Sequence, residues 1–265
     1  MRAGIGIVVA WVMAGAALGE PAPSAPTGPV LDAALAALVA SYPAALMRSD
    51  GTELVWRDGT RMQTGTSHPK SFESWLEAPG IADMFAQPYP AQAPLTPPAL
   101  NMDPGRARPA ALFKKLYGDC RAGEVTAQLV DVVWLPHKSG RTIKFSGRHG
   151  AADRLRAVSA RLDALPSRFD GFLMPLAGTY VCRVIAGTQR TSAHGYGIAI
   201  DLAVKRSHYW RWALGGERAY RNETPPEIVA AFEAEGFIWG GRWSHFDTMH
   251  FEYRPELIGL RSGRD

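Results

Sequence analysis

A carboxylate inside an apolar strand constrains this chain more than any other feature. Residues 198–203 read Ile-Ala-Ile-Asp-Leu-Ala, with Ile198, Ile200 and Leu202 on one face and Ala199, Asp201 and Ala203 on the other. Burying an unpaired carboxylate is costly, so the fold must bring a cation to Asp201. His194 lies seven residues upstream, in a run that otherwise reads as glycine and buried strand.

A second strand near the C-terminus repeats the anomaly. His250 and Glu252 point one way, while Met249, Phe251 and Tyr253 point the other, and Asp247 sits just ahead of the strand. His194, Asp201 and His250 together offer two imidazoles and one carboxylate. Such a three-ligand set suits zinc and leaves a fourth position open. Asp247 then becomes a non-ligand carboxylate able to take a proton from water at that position. Residue types alone leave other readings standing. An arginine would also satisfy Asp201, His194-Gly195 would also suit a turn, and Asp247 with His250 would also make an ordinary hydrogen-bonded pair.

Composition bounds the function classes. A chain of 265 residues buries one large core or two modest ones. With 46% hydrophobic and 20% charged residues it reads as a soluble globular protein. A formal net charge of +4 without a Lys/Arg cluster gives no case for nucleic acid as a partner. Arg2, the apolar run from Ile5 to Leu18 and the small-x-small pattern Ala17-Leu18-Gly19 read as a signal peptide over residues 1–19. The expectation is an exported protein of the periplasm or cell envelope, with no integral membrane segment once the leader is cleaved. In such a compartment Cys120 and Cys182 are more often a disulfide than two free thiols.

Along the chain, residues 20–29 are a Pro/Ala/Ser linker. A helix is expected from Leu31, ended by Pro43, and then a hairpin turning at Asp58-Gly59. The seven prolines between 86 and 109 point to an irregular segment wrapping something else. Strands are expected over 125–135, 142–146 and 178–184, and a helix over 151–165, where Leu155, Val158, Leu162 and Leu165 recur at helical spacing. A last helix takes Thr224 as N-cap, Pro225 in its first turn, Glu227 in a capping box and Gly236 at its C-terminal end. This order argues for an α+β fold in which a small antiparallel sheet, flanked by helices, carries the candidate site.

Two motifs then carry a resemblance. "SAHGYGIAID" (192–201) fits S-x-H-x-x-G-x-A-x-D, and "DTMH" (247–250) fits D-x-x-H, with "CRVIAGTQR" (182–190) and "GFIWGGRW" (236–243) supporting them. Together they resemble the zinc D-Ala-D-Ala carboxypeptidase family, in the group that includes lysostaphin-type peptidases and the hedgehog signalling domain. The resemblance covers about Leu155 to Leu257. It implies one zinc per chain held by His194, Asp201 and His250, with Asp247 as general base. It further implies that Ser192 braces the site and that Arg183 stabilises the oxyanion, with Arg190 as the nearer alternative. His245 is a candidate substrate or supporting contact. His68, His137, His149 and His208 match no pattern and read as surface or structural.

The implied substrate is peptidoglycan stem peptide, with D-alanyl-D-alanine carboxypeptidase the leaning activity. L-Ala-D-Glu or D,D-endopeptidase activity is the alternative, because an aspartate base replaces the glutamate of several carboxypeptidase branches. A non-catalytic, zinc-containing wall-binding protein is a further alternative. Arg183, Arg190, Lys205 and Arg206 lie near the motif in sequence and favour a carboxylate-bearing substrate. The expected domains are a leader at 1–19, a linker at 20–29, an N-terminal extension at 30–115 wrapping the rest, and a zinc peptidase domain at 116–265.

Overall fold

The computed structural model describes residues 21–65, 71–212 and 219–260. The expected leader and His68 lie outside these residues. Helix α1 (Gly28–Ser41) ends ahead of Pro43 and buries Ala34, Leu35 and Leu38. Strands β1 (Leu46–Ser49), β2 (Glu53–Trp56) and β3 (Arg61–Gln63) pair antiparallel in that order. The β2–β3 turn falls at Asp58-Gly59, where Gly59 takes φ +83° and the Asp58 carboxylate accepts from the Thr60 N–H at 2.9 Å. Helix α2 (Phe72–Glu77) is capped by Ser71, whose hydroxyl accepts from the Ser74 N–H.

No helix or strand forms between 86 and 109, as the prolines predict. The segment is fixed by side chains instead. The buried Tyr89 hydroxyl donates to Glu233 at 2.7 Å and accepts from the Trp239 N–H at 2.8 Å. Helix α3 (Ala110–Tyr117) follows, then the antiparallel pair β4 (Leu129–Trp134) and β5 (Arg141–Ser146). Helix α4 (Ala151–Asp163) buries Leu155, Val158 and Leu162 as its spacing predicts. After the short α5 (Asp170–Leu173) come β6 (Ala199–Asp201), α6 (Pro226–Glu233), β7 (Phe237–Trp239), β8 (His250–Tyr253) and α7 (Pro255–Ile258). Strands β6, β8 and β7 form an antiparallel sheet with β8 in the centre. The fold is α+β, with three small antiparallel sheets among helices in the described residues.

Two local expectations are corrected. Residues 178–184 do not form a strand: Gly178 bridges Asp201 and Val184 bridges Thr191, but no ladder joins them. Thr224 does not cap α6. The N-cap is Pro225 and the first helical residue is Pro226, so the helix begins one residue later than the box requires, and the Thr224 N–H donates to Asn222 Oδ1 at 2.7 Å rather than to Glu227. The buried Thr224 hydroxyl faces the Thr248 carbonyl instead. Gly236 does take the left-handed conformation after α6, at φ +85°.

One continuous core crosses the expected domain boundary. Leu35 and Leu38 of α1, Leu112 and Phe113 of α3, Leu155 of α4 and Phe251 of β8 belong to the same buried cluster. Phe232 of α6 stacks on Phe251 with ring centroids 3.8 Å apart. Each such fully buried large side chain contributes about 1.5–3 kcal/mol relative to exposure. Because strand side chains alternate, packing Phe251 against α6 turns His250 and Glu252 away from it, towards Asp201.

Candidate metal centre

The motif that begins at Ser192 folds as a turn that leads into β6. A 3-10 turn spans Ala193–Tyr196, with Gly195 N–H donating to Ser192 O at 2.8 Å and Gly197 N–H to His194 O at 3.0 Å. Gly197 takes φ +70°, and a Cβ there would meet Leu129 Cδ2 at 2.9 Å, so only glycine fits. A Cβ on Gly195 would lie 2.8 Å from Thr191 and 3.5 Å from Cys120 Sγ. Cys120 is disulfide-bonded to Cys182, which ties the start of this region to the segment carrying Arg183. The turn presents His194, and β6 then presents Asp201 opposite His250 of β8 in antiparallel register.

The three side chains converge. One ligand atom from each of His194, Asp201 and His250 lies within 4.8 Å of the others. His194 Nδ1 donates to the Thr179 carbonyl, which has only lone pairs to offer and so fixes the tautomer. Its Nε2 lone pair then faces Asp201 Oδ2 at 3.2 Å, and this buried nitrogen has no hydrogen-bond partner. Two acceptors held face to face in a buried site call for a cation between them. His250 Nδ1 lies 3.0 Å from Asp201 Oδ1, and its Nε2 lies 3.1 Å from Glu252 Oε2. Burial alone would lower the His250 pKa, but Asp201 and Glu252 outweigh it and push it up to about 10. Burial likewise works against the Asp201 carboxylate, yet the two neighbouring imidazoles hold it well below the usual range. A donor set of two imidazole nitrogens and a carboxylate, with one nitrogen orphaned, fits a zinc ion.

Asp247 stands beside the set without joining it. Its backbone N–H donates to Gly240 O at 3.0 Å, and a Cβ on Gly240 would lie 2.5 Å from the Asp247 carbonyl, so glycine permits the approach. Its carboxylate oxygen Oδ1 is buried without a partner. Burial, reinforced by the Asp201 charge, pushes its pKa up to about 6 despite the opposing pull of His250 and His194. A carboxyl poised there can accept and return a proton near neutral pH.

Around these four residues lies a small cavity of about 110 Å³, also lined by Arg183, Ser192, Tyr209, Trp210, Trp243 and His245. Arg183 is exposed and reaches this cavity; Arg190 does not, and lines an adjoining one. Lys205 and Arg206 lie on an exposed turn outside both. Tyr209 and Trp210, from the aromatic run 208–212, form part of the wall. His245 Nδ1 pairs with the buried Asp103 at 2.6 Å, and its ring packs on Phe72 and Trp210. His137 and His208 pair with Asp163 and Glu223, and His149 bonds the Leu116 carbonyl, each away from the site.

Sequence reasoning gave no role to Glu252, Arg108 or Asp103. Fully buried Glu252 receives His250 Nε2 and is bracketed by Arg108 Nη1 at 2.9 Å and Arg254 Nη1 at 2.9 Å. Burial would raise its pKa, but Arg108 leads the groups that hold it well below the carboxylate range. This carboxylate fixes which nitrogen of His250 faces Asp201. The strand alternation that paired Glu252 with His250 was the available signal. Nothing in the sequence pointed to Arg108, 144 positions away.

Residues 186–253 match the family model described as D-alanyl-D-alanine carboxypeptidase. This is the family that the two motifs resemble, and the matched segment contains His194, Asp201, Asp247 and His250. The match supports a peptidoglycan-acting peptidase of the metallopeptidase type.

Proposed function

We propose that this protein is an exported zinc metallopeptidase that hydrolyses peptidoglycan stem peptides, with D-alanyl-D-alanine carboxypeptidase as its leading activity. The observation that carries the reading is the buried His194 Nε2, which faces Asp201 without a hydrogen-bond partner beside the second imidazole of His250. His194, Asp201 and His250 would hold one zinc ion, and Ser192 would brace the turn that presents His194. Zinc held there would supply Lewis acidity towards the scissile carbonyl. Asp247 takes the proton of the attacking water on its unpartnered oxygen and passes it to the departing amine nitrogen, which leaves as the C–N bond breaks. Arg183 donates to the carbonyl oxygen as negative charge develops there. Trp210 and Trp243 line the small cavity and limit bulk water around the reacting groups.

The disulfide Cys120–Cys182 and the leader-like residues 1–19 support export. The continuation of the site into a larger cavity of about 630 Å³ favours a second reading, cleavage within the stem. Purified muropeptides digested with the zinc-loaded protein separate the two by product mass. Loss of a single alanine from pentapeptides is the expected result. Release of whole stem fragments with terminal alanines intact would make the protein an endopeptidase, and unchanged muropeptides would remove the peptidase reading.

A further inference from the structure

The larger cavity is not simply the outer part of the metal site. Its lining comes from two distant parts of the chain: Phe72, Glu73, Leu76 and Glu77 of α2 with Arg106, and the segments 187–190 and 210–211 with His245. Arg106, Trp210 and His245 line both cavities, so the two are neighbours across these side chains. Arg106 is held in place by Asp103 at 3.2 Å and by the Trp243 ring, 5.6 Å from its guanidinium carbon. Arg190 enters from the other side. Its side chain is 11% exposed, and Nε donates to Glu77 at 3.1 Å. Its Nη1 is buried with no acceptor among the described residues.

A buried guanidinium donor without an acceptor is rare, because desolvation is then uncompensated. Arg190 is also crowded by like charge. Burial first, and then repulsion from Arg108 and Arg106, push its pKa down to about 10 against the pull of Glu77. An anion between Arg190 and Arg106 would relieve both conditions at once. A planar carboxylate suits the two-pronged donor geometry of guanidinium. Phe72, Leu76 and Trp210 add apolar wall for the aliphatic part of the same ligand.

We propose that α2 and Arg106 build, with Arg190, a subsite that grips a peptide carboxylate of the substrate away from the scissile bond. The inference rests on the peptidase reading for the identity of the peptide, and not for the existence of the subsite. The N-terminal region then forms part of the binding cleft. Stem peptides carry such carboxylates on D-glutamate, on the diamino acid and at the C-terminus, and the subsite takes one of them.

Calorimetric titration of the metal-free protein with a synthetic stem pentapeptide, and with three versions each amidated at one carboxylate, tests this without turnover. One amidated peptide is expected to bind at least tenfold more weakly, and Arg190→Gln to weaken the unmodified peptide equally. The two changes together are expected to add little to either alone, the mark of a shared contact. Arg190→Lys keeps the charge and is expected to fall between, and Arg106→Gln to repeat the loss provided its thermal unfolding stays cooperative. Equal affinity for all four peptides overturns the proposal, as does undetectable binding of the unmodified one. With the zinc-loaded protein the same changes are expected to raise KM and leave kcat within about threefold. Hydrolysis insensitive to amidation would sink the subsite while the peptidase reading stands. Carboxylate-dependent binding without any hydrolysis would do the reverse.

Discussion

The two halves of the cleft are built on different physical terms. The candidate metal half is local: a turn and two neighbouring strands present His194, Asp201 and His250, Asp247 lies just ahead of β8, and the register Asp201 to His250 sets their approach. The other half is assembled from afar. Arg106 comes from the proline-rich segment, Phe72 and Glu77 from α2, and each meets residues more than a hundred positions downstream. The first half depends on side-chain chemistry that few substitutions preserve. The second depends on a shared core, since α1 and α3 pack in the same cluster as α4 and β8. The proposed chemistry thus rests on neighbouring strands and a turn, and the proposed carboxylate grip on segments distant in sequence.

The sharpest way to break this division is to remove the proton acceptor alone. Asp247→Asn should leave zinc content and thermal unfolding close to native while hydrolysis falls by roughly a hundredfold or more, the scale of a lost general base. Turnover near native would move that role elsewhere, with His245 next in reach of the cavity.

The shared core predicts an effect on stability instead. Leu38→Ala in α1 and Leu155→Ala in α4 each remove a fully buried side chain, and each should cost about 2–5 kcal/mol in a single denaturant transition. Two separate transitions, with Leu38→Ala affecting only one, would show that the N-terminal region folds as its own domain.

A smaller effect should follow from Glu252→Gln, which removes the charged acceptor that lies between His250 and Arg108. The amide no longer anchors the imidazole as a charged acceptor, and zinc affinity should fall about 10- to 100-fold. Competition against a chromophoric chelator reads this directly, and an unchanged dissociation constant would demote Glu252 to packing.

Legibility in the sequence follows the same contrast. Asp201 stood out because a carboxylate in an apolar strand needs a partner, and strand alternation put His250 and Glu252 on one face. Helices α1 and α4 were legible from spacing alone. The 178–184 stretch was misread because β-branched and aromatic residues mark extended backbone, while a strand also needs a continuous neighbour. Here Gly178 and Val184 find only isolated bridges. Thr224 was misread because two consecutive prolines shift the start of α6 past the box it would cap. Arg108 and Asp103 were not legible because their partners, Glu252 and His245, lie over a hundred residues away, and no local pattern encodes such a meeting.

His194, Asp201 and His250 are proposed to form one zinc site. Elemental analysis of the purified protein, beside His194→Ala and His250→Ala prepared identically, tests it most directly. About one zinc per chain in the native protein and a small fraction of that in each variant is the predicted result, since a lost ligand removes much of a binding free energy of order 10 kcal/mol. Full occupancy in both variants, with folding intact, would contradict it.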